Sequence, residues 1–223
     1  MKPFSSFIVT LLLTGGTQAH ANLVANPGFE TFTGVFGSDG GSALNSLSTT
    51  LTDWTVTTGE IAVLTVPNIY HLTPAEGNNF LDLTGYSNSG FPKGVTQTLT
   101  GLSVGQSYRL SLDIGILNGA CIGSSNDCHG PVQVNAAIGG TSQTFTHDSA
   151  DPGNVWGTYG FDFTATAADM ALTVTGVSIP VGNAYIGLDN LDVEETSAVP
   201  LPAALWMFGA GLGGAVAVGR RRA

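Results

Sequence analysis

Gly105-Gln106-Ser107-Tyr108-Arg109-Leu110-Ser111-Leu112-Asp113-Ile114 decides the fold. Tyr108, Leu110, Leu112 and Ile114 fall at every second position, with polar side chains between most of them. Successive side chains of a strand point to opposite faces, so this spelling is a strand with one buried face. The same alternation returns in Val132, Val134, Ala136 and Ile138, in Tyr159, Phe161, Phe163 and Ala165, and in Leu172 and Val174. Shorter candidate strands are Asn22–Ala25, Trp54–Thr57, Ile61–Val66, Phe80–Leu83, Val95–Leu99, Thr141–Thr146 and Tyr185–Val193. Gly, Asn, Asp and Pro separate them, and Thr is frequent at outward positions, which suits strands. About eleven strands without an internal repeat predict an all-β, two-sheet antiparallel jelly-roll sandwich over residues 22–198. Gly34–Thr50, rich in Gly, Ser and Asn, reads as a long surface loop.

Composition narrows the function. Only 10% of the 223 residues are charged, and 6 Lys plus Arg face 16 Asp plus Glu. So few cations cannot follow a phosphate backbone, which excludes nucleic acid as a partner. Between Asn22 and Val199 only Lys93 and Arg109 stand against all 16 acids, a formal charge of −14. Arg109, on a polar strand face, is expected to pair with a neighbouring acid.

The two ends read as addresses. Met1-Lys2-Pro3, an apolar run through Leu11-Leu12-Leu13 and a close on Ala19-His20-Ala21 have the charge, core and small-residue cut of a secretory signal peptide, residues 1–21. At the other end, Leu201–Gly219 is 19 residues without a charge, roughly 28 Å as a helix and enough to cross a bilayer. Arg220, Arg221 and Arg222 follow, and the positive-inside rule leaves the acidic body outside the cytoplasm. Val199-Pro200-Leu201-Pro202 before this stretch resembles the PEP-CTERM sorting signals of Gram-negative bacteria in their VPLPA form, with Leu201 where the commonest form has Glu. The resemblance makes residues 199–223 a membrane-anchor and sorting segment and implies an exosortase as processing partner. A plain single-span anchor is the alternative.

The body also carries a resemblance. Asn22-Leu23-Val24-Ala25-Asn26-Pro27-Gly28-Phe29-Glu30, Asp53-Trp54, Glu76-Gly77-Asn78-Asn79-Phe80-Leu81-Asp82-Leu83, Val95–Leu99, Gly105–Asp113, Trp156 with Tyr159–Phe163, and Ile186-Gly187-Leu188-Asp189-Asn190-Leu191-Asp192-Val193 follow in order. Together they resemble galactose-binding-like jelly rolls, among them calcium-containing carbohydrate-binding modules. In those modules the opening Glu and a closing-strand Asp meet at one Ca²⁺, which implies Glu30 and Asp189 as ligands here, with Glu76 a candidate third carboxylate. Ordinary capping or solvated acids are the alternative.

Sugar binding needs aromatic faces for pyranose C–H groups beside convergent polar groups. Phe36, Tyr70, Tyr86 and Phe91 stand in loop-like or strand-end positions and are the glycan-contact candidates. Trp54 and Trp156 match family positions that core packing alone explains. Cys121 and Cys128, the two cysteines of an exported chain, are expected to form a disulfide. No serine elbow, His-Glu-x-x-His or phosphate loop is present, so no catalytic residue is named and the chain is expected not to be an enzyme. The expected function is an exported cell-surface or matrix protein that associates with exopolysaccharide. A structural or adhesive surface protein without a glycan site is the alternative, with an extracellular hydrolase behind it. Aromatic residues clustered on one face would favour glycan binding; a smooth Thr face would favour the structural reading.

Overall fold

A computed structural model describes residues 21–86, 90–120, 127–128, 130–178 and 185–196. The signal segment through residue 20 and the sorting segment 199–223 lie outside the described residues. So does the expected Cys121–Cys128 pairing, Cys128 being described only through its backbone. Among the described residues no helix is long and apolar enough to cross a membrane.

Twelve strands occur among the described residues: β1 Gly41–Asn45, β2 Thr55–Val56, β3 Glu60–Thr65, β4 Asn79–Asp82, β5 Lys93–Leu99, β6 Ser107–Ala120, β7 Asp127–Cys128, β8 Val132–Ile138, β9 Thr141–His147, β10 Gly153–Thr164, β11 Met170–Ser178 and β12 Gly187–Glu195. They form two antiparallel sheets. The first runs β1-β3-β4-β12-β6-β10 with β7 on β6; the second runs β2-β5-β11-β8-β9. This is the expected jelly-roll sandwich. Leu110, Leu112, Ile114 and Val193 of the first sheet meet Val95, Leu99, Val134 and Val174 of the second in one buried core. β8 shows the cause most simply, since Val132, Val134, Ala136 and Ile138 are buried and the residues between them are not.

Two local expectations are corrected. Gly34–Thr50 is not only loop, because Gly41–Asn45 forms β1 and pairs residue for residue with β3. Only Ala43 and Leu44 are apolar there, so the strand comes from its partner and not from its own pattern. Conversely, Asn22–Ala25 is not a ladder strand. It is tied by single bonds to the closing strand: Leu23 N–H to Val193 O at 3.0 Å, Val193 N–H to Asn22 Oδ1 at 3.0 Å, and Asn22 Nδ2 to Leu191 O at 2.8 Å. The opening and closing segments thus complete one self-contained sandwich, with its core drawn from residues between Val24 and Val193.

The opening motif is built around a backbone exception. Phe29 has φ 60°, a left-handed conformation that a bulky residue adopts only when its surroundings impose it. Its ring is fully buried 5.5 Å from that of Trp54, whose indole N–H donates to Asn26 O at 3.1 Å. This bend turns Glu30 toward the loop before β4. Arg109 pairs with Asp162 at 2.8 Å as expected, and with both side chains half exposed the bridge contributes about 0–1 kcal/mol.

Candidate functional site

The outer faces of the two sheets differ. On the second sheet Thr55, Thr96, Thr173, Ala137 and Ser142 stand in one row across the strands. Within it Thr96 and Thr173 bond hydroxyl to hydroxyl at 3.0 Å, and beside the row the Asn135 amide donates to the Thr144 hydroxyl at 3.0 Å.

The first sheet is different. Ala43, Ala62, Asp82, Gly187, Gly115 and Trp156 form one row from β1 to β10. Ala62 packs outward with Leu64, Leu72, Phe80 and Tyr185, apart from the main core. The small residues leave a shallow floor, and aromatic rings occupy it. A Cβ on Gly115 would lie 2.9 Å from the Trp156 ring, and one on Gly187 would lie 2.2 Å from the Tyr185 hydroxyl. Phe80, Trp156 and Tyr185 meet edge to face, with centroids 6.0 to 6.4 Å apart. Such pairs add about 0.5–1.5 kcal/mol each beyond burial. Trp156 donates its indole N–H to Thr73 O at 2.9 Å, fixing the β3–β4 loop against the sheet.

At the β1 end of this row the sequence candidates Tyr70 and Tyr86 come together. Both phenols donate to Asp39 Oδ2, at 3.0 and 2.8 Å, and Gly41 N–H donates to Asp39 Oδ1 at 3.1 Å. The Tyr86 backbone N–H donates to Glu60 Oε1 at 2.9 Å. Tyr86 is therefore held at both ends, from β3 to β1, while 45% of it stays exposed. Gly41 makes the crossing feasible, since a Cβ there would come within 2.2 Å of the phenol oxygen. A ring already fixed loses little rotamer freedom when a ligand covers it.

Charge follows the geometry. The Tyr86 hydroxyl, with help from Gly41 and Tyr70, holds the Asp39 carboxyl below the usual carboxylate range. Desolvation and the Asp39 charge raise both phenols. Desolvation pushes Asp82 up to about 6, against the bonds it accepts from Thr84 Oγ1 (2.6 Å) and Thr84 N–H (2.8 Å). Lys93, 1% exposed beneath the loop, donates to Thr84 O at 2.6 Å. Its pKa is lowered by desolvation and supported by Glu60 and Asp82.

The other two aromatic candidates lie elsewhere. Phe36 stacks 5.0 Å from Phe32 against the core, and Phe91 packs at the core edge with the Lys93 ammonium 5.8 Å from its ring. Asp39 and Glu60 were not legible as site residues, because hydrogen bonds between segments distant in sequence bring them to Tyr86, and Asp82 joins the row only through the register of β3 with β4. The nearest cue was Tyr86 itself.

The implied calcium ligands meet at a second place. Glu30 Oε1 accepts N–H bonds from Asn78 (2.7 Å) and Asn79 (3.0 Å). Asp189 Oδ2 accepts from Ala75 (2.8 Å) and Glu76 (3.1 Å), and Oδ1 from Asn190 (2.8 Å). Both carboxylates thus face the loop at residues 75–79, and Gly28 lies between them. Asp189 is fully buried, and desolvation pushes it up to about 7. The two carboxylates are capped by five backbone N–H groups and would supply only part of the six to eight oxygens that a Ca²⁺ ion takes. Glu76 reaches the place through its backbone amide. Among the described residues no group of three or more His, Cys, Asp or Glu side chains is placed to hold a metal.

No protein-family model and no curated protein sequence matches the chain. Solved structures do. TmCBM61, in complex with β-1,4-galactotriose, is 14% identical over 79% of this chain and 99% of its own, with a TM-score of 0.51. A family 35 carbohydrate-binding module from Clostridium thermocellum is 14% identical over 68% of this chain and 97% of its own, with a TM-score of 0.41. The CBM22-1 xylan-binding domain of Paenibacillus barcinonensis Xyn10C is 14% identical over 82% of this chain and 100% of its own, with a TM-score of 0.39. At such identity the likeness establishes fold alone: this chain shares the two-sheet jelly-roll sandwich of TmCBM61.

Proposed function

We propose that the protein is an exported surface module that holds extracellular polysaccharide without chemically altering it. The observation that carries this reading is Tyr86, an exposed aromatic ring fixed at both ends beside the carboxylates of Asp39 and Glu60. A pyranose stacks its C–H face on such a ring and gives its hydroxyl protons to the carboxylates. The fold of TmCBM61, which was solved with a galactotriose, supports a carbohydrate partner. The side-by-side acids Asp113 and Asp189 are buried, and their oxygens are taken by Thr158, Asn190 and backbone amides. That supports a binding role over hydrolysis.

Around this core stand the sequence expectations. The signal segment exports the chain, and the Val199–Pro202 motif with its Arg cluster is processed by an exosortase, leaving the body at the cell surface. Ca²⁺, held by Glu30 and Asp189, would neutralise a buried carboxylate and join the opening segment to the closing strand. Cys121 and Cys128 are linked. The test of the binding role is a glycan array with the 22–198 body and with Tyr86→Ala. The body should bind a defined set of glycans, and the variant should lose that set while keeping its melting temperature. A blank array would favour the adhesive reading, for which the Thr face of the second sheet is the supporting observation.

A further inference from the structure

The free edge of β1 carries a notch that Tyr86 does not occupy. It encloses about 430 Å³ between β1 and the segments 32–34 and 46–50, a volume of small-ligand size. Phe32 forms one wall, its ring filling the place that a side chain at Gly34 would take. Leu47, 77% exposed, lines the notch as well. None of the lining side chains carries a charge, in a chain with 16 Asp plus Glu. The Asn45 amide and the Ser42 hydroxyl face the notch and bond to no other group among the described residues.

The backbone of β1 limits what can enter. Gly40 O accepts from Thr65 N–H at 2.9 Å, so in this antiparallel ladder Ser42 and Leu44 bond to β3. Gly41, Ala43 and Asn45 turn their N–H and C=O to the free edge. Turns close that edge at both ends. The Gly41 N–H is given to Asp39 Oδ1, Gly37 N–H donates to Gly41 O at 2.8 Å, and Ser48 N–H donates to Asn45 O at 3.0 Å. Ala43 alone keeps both backbone groups open among the described residues. So short an opening gives a strand from another chain almost no ladder to join. A sugar fits it better, because each hydroxyl both donates and accepts, as the Ala43 backbone, the Asn45 amide and the Ser42 hydroxyl require. Its C–H face then meets Phe32 and Leu47. A uronate or an amino sugar would find no opposite charge in this lining.

We infer that the notch is a second sugar subsite, taking a neutral pyranose of the same polymer that Tyr86 holds. This deepens the carbohydrate-binding reading above and rests on it. Tyr86 reaches from β3 to β1 with its phenol over Gly41, and the notch opens on the far flank of that strand. A chain stacked on Tyr86 continues over the edge of the sheet into the notch. The protein thus holds a stretch of polymer and not a single sugar.

The experiment is calorimetric titration of the 22–198 body with di- and tetrasaccharides of β-1,4-linked galactose, glucose and glucuronate. On a neutral backbone the tetrasaccharide should bind roughly tenfold or more tightly than the disaccharide, because its far end enters the notch. That gain should not change with salt, and the glucuronate oligomers should not show it. Asn45→Ala, and separately Leu47→Asp, should remove the gain and leave the disaccharide affinity at the parent value. Tyr86→Ala should abolish binding of both lengths. Leu47 has φ 68°, which Asp tolerates, and both side chains are exposed, so neither variant should melt earlier than the parent. Should one fail to fold, the other decides. A tetrasaccharide bound equally by the parent and both variants overturns the subsite and leaves the Tyr86 reading standing. A dimer in sedimentation that these variants dissociate gives the edge to a second copy and overturns the subsite too. Binding of no oligosaccharide overturns both readings.

Discussion

Asp82 is a carboxylate in an unfavourable place. It is half-buried on the outer face of β4, and desolvation lifts its pKa to about 6, against roughly 4 for an unfolded Asp. The folded state therefore binds the proton more tightly than the unfolded state does. The ionised form is a destabilising term above about pH 6, relieved as the pH falls from there toward 4. Asp82→Asn keeps an acceptor for Thr84 and removes the charge. The variant should have a higher urea midpoint than the parent at pH 8, and the difference should close by pH 4 to 5. A constant difference across that range would place the effect in packing. Thr84, the Ile186 amide, Lys93, Tyr70 and Tyr185 face Asp82 electrostatically or by hydrogen bond, and all are retained. The buried acid at the other place, Asp189, gives a separate expectation. If Ca²⁺ joins it to Glu30, chelator should lower the melting temperature of the parent and leave Glu30→Gln unmoved, because occupancy stabilises the fold by mass action. Identical curves with and without chelator would remove calcium from the account. Glu30 and Asp189 were legible because they belong to motifs with a fixed order along the chain. Asp39 and Asp82 were not, since nothing local in Ser38-Asp39-Gly40 or Leu81-Asp82-Leu83 marks them.

Strands make the site by what they omit. Gly187 and Gly115 carry no side chain at the two positions where Tyr185 and Trp156 lie over the sheet. Gly187→Ala should cost about 1–3 kcal/mol in urea unfolding, since the new methyl meets both a phenol oxygen and an indole ring. An unchanged midpoint would mean that the aromatic pair can shift without loss. β6, β8 and β10 were readable because each buries one whole face. β1 was not, because as an edge strand it is bonded on one side and has two apolar residues. The same obscurity hid Gly41, whose missing side chain lets Tyr86 reach Asp39. Sequence periodicity reports the core face of a strand, whereas this site is assembled from outward positions and from the loops that fold over them.

At the scale of the whole molecule, the described residues make two sheets in a body rich in acids, and export belongs to the proposed reading of the two ends. Alternation alone was enough for the sandwich; the candidate site required the register between β1, β3, β4 and β12. Intact-mass measurement of protein from the cell surface tests the ends. The mass should lack residues 1–21 and the Arg220–Arg222 cluster, and should be two hydrogens short if Cys121 and Cys128 are joined. A tail retained through Arg222 in an exosortase-bearing host would leave a simple membrane anchor.

The bonds that tie Asn22 and Leu23 to β12 have a mechanical consequence. Tension on the tail enters at Thr196, itself bonded to Ser107 O, and runs along β12. That strand lies inside its sheet, with β6 on one flank and, on the other, β4 followed by the opening segment. The pull is therefore parallel to a strand whose bonds on both sides must yield together in shear. Were the proposed anchor and polymer contact both in place, tension between them would meet this shear geometry and not an unzipping one.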